Sequence, residues 1–267
     1  MNNNNFVLQN SNNFWYGVFP ELQKLGVKHA ISSKISNEEN TNMSFNITEN
    51  SDLVVKNREN LANAIGADIN SLVVSSQVHS VNVCCVDKSF AGRGALTKET
   101  ALTNTDAIIT NTPNLPILLF FADCVPIIIY DPIQKVLGVA HAGWRGTVNA
   151  IVKNTVYKMQ KNYNVNPSDC YAFIGPSIGP CCYEVDTVVA SEVYKNFTNH
   201  NEIMKQTSSE KWMLDLWAAN STNLLSAGLK HENIYLSKIC TSHNNNIFFS
   251  HRKELGKAGR FSVIAML

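Results

Sequence analysis

Apolar residues in this chain fall mostly in short runs, not in long helical stripes. Segments 71–78, 81–87, 106–110, 116–122, 126–130, 136–141, 171–174, 233–237 and 261–266 are rich in β-branched residues and bounded by turn formers, and each predicts a strand. Several are apolar at successive positions, which in a strand means burial on both faces. Helical spacing appears in three places. Ser51 to Ile65 repeats Leu53, Leu61 and Ile65, with Ser51 or Asp52 to cap its first turn and Gly66 to stop it. Thr147 to Tyr163 puts Val148, Ile151, Val152, Val156 and Met159 on one face, and Leu214 to Ala227 ends at Gly228. Strands outnumber helices and do not alternate with them. That pattern predicts an α+β layered fold in place of a doubly wound one.

Composition narrows the function. No repeat or Pro/Gly/Ser linker divides the 267 residues, so one domain is expected over 1–267, with the asparagine-rich residues 1–12 flexible. Its 22 basic and 21 acidic residues nearly cancel, which leaves no field for a nucleic-acid backbone and favours a small-molecule partner. The start has neither a basic nor an apolar signal region. The most apolar stretch, Ile117 to Tyr130, is broken by Asp123 and Pro126, short of the roughly 18 residues a membrane span needs. A cytoplasmic monomer is expected. Seven cysteines, an odd number with two adjacent pairs, suit reduced thiols better than a disulfide framework.

Three residues carry the candidate chemistry. His79, Cys124 and His141 each end an apolar run and precede a polar or strand-breaking element, Val125-Pro126 after the cysteine and Gly143-Trp144-Arg145-Gly146 after the second histidine. Strand ends are rigid yet open to substrate. Together the three make a His₂Cys set, the ligand types zinc prefers, with a fourth position left for water or substrate. Taken singly, a cysteine at a strand end is more often a packing residue and a lone histidine more often a hydrogen-bonded one, and it is the neighbours, Asp123, Pro126 and Gly143-Trp144-Arg145-Gly146, that favour the metal reading. Arg145 offers a fork of donors for phosphate or carboxylate, or else a brace for its own loop. Ile174-Gly-Pro-Ser-Ile-Gly-Pro-Cys-Cys-Tyr-Glu-Val185 reads as a structural corner with Cys181 and Cys182 buried, since adjacent cysteines do not easily chelate one ion. Arg252 and Arg260 lie near glycines, as a phosphate contact or a solvated rim would. His29, His200, His231 and His243 sit in polar surroundings that suggest surface.

Taken in order, Gln77-Val-His79-Ser80, Ala122-Asp-Cys124-Val-Pro-Ile127, His141-Ala-Gly-Trp-Arg-Gly146, the Ile174 to Val185 segment and Gly259-Arg260 resemble the motifs of the laccase-like "multicopper polyphenol oxidase" family. Members of that family are regarded as purine nucleoside phosphorylases that also deaminate adenosine. The resemblance implies a single α/β/β/α layered domain with mixed sheets, and zinc held by His79, Cys124 and His141, which would also be the catalytic residues. It implies substrate contacts at Asn46, Arg145, Arg252 and Arg260. Two blocks depart from the family pattern: Ile47-Thr48-Glu49 replaces a glycine-containing stretch after Met43-Ser-Phe-Asn46, and His251 stands where the family has tyrosine. A copper polyphenol oxidase is disfavoured, because seven histidines without a His-x-His pair cannot build a laccase's copper sites. A metal-free cysteine hydrolase would use Cys124 with His79 or His141 as base. A purely structural zinc module would usually have four ligands.

Overall fold

The computed structural model describes residues 5–11, 13–36, 41–48 and 50–267. Alternation along the central strands sets its layers. In β8 (Val125–Asp131), Ile127 and Ile129 join one apolar cluster, Ile128 and Tyr130 another. The same split divides Val136 and Ala140 from Leu137 and Val139 in β9 (Val136–Ala142). Successive strand side chains point to opposite faces, so a strand apolar throughout has to be covered on both. Each such Val, Ile, Leu or Phe contributes about 1.5–3 kcal/mol by leaving water.

Two six-stranded sheets supply that cover to one another. One runs β14 (Ile234–Leu236), β10 (Tyr171–Ile174), β8, β9, β6 (Ala107–Thr110), β5 (Val83–Cys85). The other runs β1 (Val7–Ser11), β2 (Phe14–Val18), β3 (Lys28–Ser36), β15 (Phe261–Met266), β7 (Ile117–Phe121), β4 (Val73–Val74). Both are mixed: β4 pairs parallel with β7, and β5 with β6, while the β8–β9 and β15–β7 ladders are antiparallel. Leu119, Phe121 and Val263 of one sheet share a cluster with Ile128, Val139 and Phe173 of the other. On the outer faces, α2 (Ser51–Ala64) brings Leu61 and Ala62 to the cluster of Leu118 and Ile264. Across the molecule α4 (Ile151–Tyr163) and α7 (Leu216–Ser226) cover Ile127, Ile129 and Ala140. This is the α/β/β/α layering the resemblance implied. Peripheral pieces are α1 (Pro20–Lys24), α5 (Thr187–Asn196), α6 (His200–Ile203) and a small sheet of β11 (Glu184–Asp186), β13 (Lys211–Leu214) and β12 (Met204–Ser208).

Several sequence expectations need correction. Residues 1–4 and 12 lie outside the described residues, but β1 pairs with β2 from Val7↔Val18 to Ser11↔Phe14, so five of the twelve residues expected to be flexible form a sheet edge. The helix expected over 147–163 is two helices, α3 (Trp144–Val148) and α4, separated by Ala150 in a left-handed conformation (φ 60°). The Thr147 carbonyl accepts from Ala150 N and from Asn223 Nδ2 of α7, so a contact distant in sequence ends α3. Leu214 closes β13, and Asp215 caps α7 through Trp217 N and Ala218 N, worth about 1 kcal/mol. His29, expected at the surface, is buried in β3.

Candidate metal centre and its cleft

His79, Cys124 and His141 come together where the two sheets end. Cys124 immediately precedes β8, and His141 lies near the end of β9, opposite Pro126 in the β8–β9 ladder. The predicted strand over 71–78 shortens to β4, and the chain then leaves the sheet. Gln77 returns by its side chain: its Nε2 donates to the Phe120 carbonyl and its Oε1 accepts from Phe120 N, both at 2.8 Å. The amide thus acts as one more rung on β7 and presents His79, at φ 61°, to the site. Asp123, also at positive φ (81°), accepts from Thr241 Oγ1 and Arg252 N, each at 2.6 Å, and so fixes the turn before Cys124. Non-glycine residues in this region store strain, and such strain gathers at functional sites.

The residue that organises the site is Asp106, which sequence reasoning treated only as the start of a strand. Its carboxylate is fully buried and accepts from Val78 N, His79 N, Ser80 N, Ser80 Oγ and His141 Nδ1 at 2.7–3.2 Å. One group therefore holds the His79 loop and sets the His141 ring. With its proton on Nδ1 toward Asp106, His141 offers Nε2 as a ligand, the usual support for a metal-bound histidine. Only its place at the head of the apolar run Ala107-Ile-Ile marked Asp106 in the sequence.

The ligand atoms of His79, Cys124 and His141 all lie within 4.8 Å of one another, with Cys124 Sγ 3.8 Å from His79 Nε2. Tetrahedral zinc with thiolate and imidazole ligands needs edges of roughly 3.5–3.8 Å, so this donor set fits such an ion. Gly143 makes the approach possible: a Cβ there would stand 2.9 Å from Cys124 Sγ and 3.0 Å from His79 Cδ2. Charge agrees. Burial raises the Cys124 thiol, but the two histidines outweigh it and bring it down to about 6. Burial lowers His141, yet Cys124 and Asp106 lift it to about 9. Burial likewise opposes ionisation of Asp106, whose hydrogen bonds to His141 and Ser80 nevertheless hold it at about 2.

Two cavities flank the triad and share His79, Ala122, Cys124 and His251. The larger, about 310 Å³, is lined also by Asn46, Gln77, Phe120, His141 and Arg260, a size that suits a small ligand. The smaller, about 250 Å³, is lined by Trp144, Arg145, Tyr183 and Arg252. All the residues proposed from sequence for metal or substrate therefore line one cavity or the other, but their donors differ in availability. Arg252 gives its guanidinium to the carbonyls of Cys182 and Glu184, and Arg260 donates to those of Ala258 and Gly259. The Arg145 guanidinium lies over the Trp144 ring at 4.4 Å and makes no hydrogen bond or ion pair among the described residues. Sequence reasoning also missed Arg58, buried on α2, which donates to the carbonyls of Met43, Gly94 and Ala95 beneath Phe45 and Phe120.

Known proteins share this arrangement of chain. Over 229 residues the chain is 40% identical to the purine nucleoside phosphorylase YlmD of Bacillus subtilis, covering 85% of this chain and 82% of that protein. It is 35% identical over 208 residues to the adenosine deaminase RL5 of an unknown prokaryotic organism, covering 78% and 79%. The crystal structure of YlmD from Geobacillus stearothermophilus superposes with a TM-score of 0.91 at 34% identity, covering 97% of each chain. Residues 25–267 match the family model described as multi-copper polyphenol oxidoreductase laccase. With those matches spread over most of its length, the chain belongs to the laccase-like multi-copper polyphenol oxidoreductase family.

Proposed function

We propose that this chain is a zinc-dependent purine nucleoside phosphorylase with adenosine deaminase side activity. It would act as a cytoplasmic monomeric domain over residues 1–267, on a nucleoside and phosphate and not on nucleic acid. The observation that carries this reading is a three-ligand His₂Cys set, one side of it open to a cleft, with the unpaired Arg145 guanidinium at the rim. The names of the relatives point the same way. Among the described residues no helix is long and apolar enough to cross a membrane.

In phosphorolysis a phosphate oxygen bonds to C1′ of the ribose as the bond from C1′ to the base breaks, and the base leaves with that electron pair. Arg145, pre-stacked on Trp144, can bind phosphate bidentately at little further ordering cost. Arg252 acts by position, tying the chain at Cys182 and Glu184 to the cleft wall. Asn46 and Arg260 line the larger cavity, where the nucleoside would sit. Asp106 keeps the His141 proton on Nδ1 and the ring fixed. A metal ion held by His79, Cys124 and His141 would supply Lewis-acid polarisation of a substrate atom. The copper oxidase reading finds no support in the site, because this donor group contains only two histidines.

One observation favours a second reading. The Cys124 thiol at about 6 beside His141 at about 9 is a thiolate–imidazolium pair at neutral pH, which a metal-free cysteine nucleophile would use. One experiment separates the two. Protein purified without added metal is analysed for zinc and copper, and adenine release and inosine formation from adenosine are followed across phosphate concentrations. The proposal expects bound zinc, phosphate-dependent adenine release, and loss of both activities with the ion in Cys124→Ala. In Arg145→Ala, phosphorolysis should fall about tenfold or more while zinc and deamination persist. Full activity in metal-free protein would sink the proposal in favour of the thiol nucleophile.

A further inference from the structure

A second group of soft ligands lies outside the cleft, where two surface loops cross. After β10 the chain turns at Gly179, whose carbonyl accepts from both Cys182 N and Tyr183 N at 3.0 and 3.1 Å, and the turn carries Cys181 and Cys182 together. Beyond β14, Asn244 donates to the Cys240 carbonyl through both its backbone N and its Nδ2, closing a single helical turn. Residues three apart on such a turn face the same side, which sets His243 beside Cys240. A bridge between Ser177 and Cys240 stitches the loops together: Ser177 N donates to the Ile239 carbonyl and Thr241 N to the Ser177 carbonyl.

The result corrects the view of this corner as inert packing. Cys181 is exposed and Cys182 half-buried, and the ligand atoms of Cys181, Cys182, Cys240 and His243 lie within 4.8 Å of one another. We propose that these four residues form a second metal site, a closed Cys₃His tetrahedron for zinc. Cys181 Sγ stands 3.4 Å from His243 Nδ1, close to the edge of roughly 3.5 Å that a shared zinc would impose. The objection that adjacent cysteines chelate poorly applies to the pair alone, and here Cys240 and His243 supply the other two corners from a separate loop. Gly179 N donates to Cys240 Sγ at 3.3 Å, the kind of outer contact that supports a thiolate ligand. Any Cβ at Gly179 would stand 2.8 Å from the Trp217 ring and press on Cys240 Cβ at 3.2 Å and Cys181 Sγ at 3.3 Å, so glycine lets the loops meet under that ring.

Four protein ligands leave no open position, which makes the site structural and not catalytic. Its place gives it a task. Cys182 precedes Tyr183, which lines the smaller cavity, and its carbonyl receives Arg252. Thr241 follows Cys240 and donates to Asp123, the neighbour of Cys124. An ion here would clamp the wall of the cleft to the turn that presents Cys124. The site does not depend on the phosphorylase reading.

The test uses full-length protein purified under reducing conditions, reconstituted with excess zinc and dialysed, with metal content measured per chain. Wild type should hold about two zinc ions. Cys181→Ser with His243→Ala, both exposed positions, should hold about one, and so should His79→Ala with Cys124→Ala. Cobalt substitution of the latter variant should still give the thiolate-to-cobalt charge-transfer absorption. Alkylation mapped by mass spectrometry should find Cys181 and Cys182 shielded only while metal is bound. One zinc in wild type, unchanged by Cys181→Ser with His243→Ala, would overturn the proposal. So would copper held here in preference to zinc, or a Cys181–Cys182 disulfide in the reduced, reconstituted protein.

Discussion

Two buried strand histidines, His29 and His141, have the same solvent exposure to within two per cent and opposite ionisation. His29, on β3, accepts from Phe19 N at 2.8 Å and bonds the Val27 carbonyl through Nδ1 at 3.1 Å, so both nitrogens meet neutral backbone. Burial then wins and takes its pKa down to about 4. His141, on β9, pays the same desolvation but faces the Asp106 carboxylate and the Cys124 thiol, and it rises to about 9. Burial alone makes a histidine a neutral strut. A buried anion beside it makes the ring a charged, oriented group with one nitrogen to spare.

The largest blow to this contrast is Asp106→Asn. An amide has one acceptor oxygen for five donors, and its NH₂ must face either the His141 N–H or the loop amides. Metal affinity and kcat/KM should drop about 10–100-fold, read by chelator competition and steady-state assay. Undiminished affinity would mean that His141 is oriented by something else.

A smaller effect belongs to His29 and is read in acid. Its folded value lies below the unfolded 6.5, so its contribution is complete above pH 6.5 and is lost as pH falls through 4. The loss should reach on the order of 3 kcal/mol by urea unfolding of metal-free protein. Asp106, held at about 2, loses its share only below pH 4, so the two windows separate. In His29→Gln the slope between pH 6.5 and 4 should flatten while activity at neutral pH stays the same. An unchanged slope would place the acid sensitivity elsewhere.

Smallest is Ser80→Ala, which removes one of Asp106's five donors, the 2.7 Å hydroxyl bond, and keeps the backbone amide. About 1 kcal/mol of stability and less than tenfold in metal affinity should go. A loss as large as that of Asp106→Asn would shift the organising role from the carboxylate to the hydroxyl.

The sequence disclosed what depends on local pattern. β6 to β9 and β15 were legible because their runs are apolar on both faces, and His79, Cys124 and His141 because each sits where such a run stops. What it hid depends on partners distant in the chain. β1 to β3 carry asparagine, serine and lysine, and they pair only because β15 offers an edge to Ile31 and Ala30. The valines of α5 favour a strand, and the Asp186 cap with tertiary packing overrides them. Asp106 looked like any acid at a strand start, since nothing nearby foretells four amino-acid residues converging on it.

The Gln77 rung has a consequence in time. Of the three candidate ligands of the cleft, His141 is anchored in the β8–β9 ladder and Cys124 directly precedes it, whereas His79 rides on a loop held by the Gln77 amide on β7 and the Asp106 carboxylate. The Phe120 N–H donates to that amide, so its hydrogen exchange reports how often the latch opens. An ion bound there would leave at the pace of that local opening and not of global unfolding. Its residence time would then be set by a glutamine and an aspartate that never touch it.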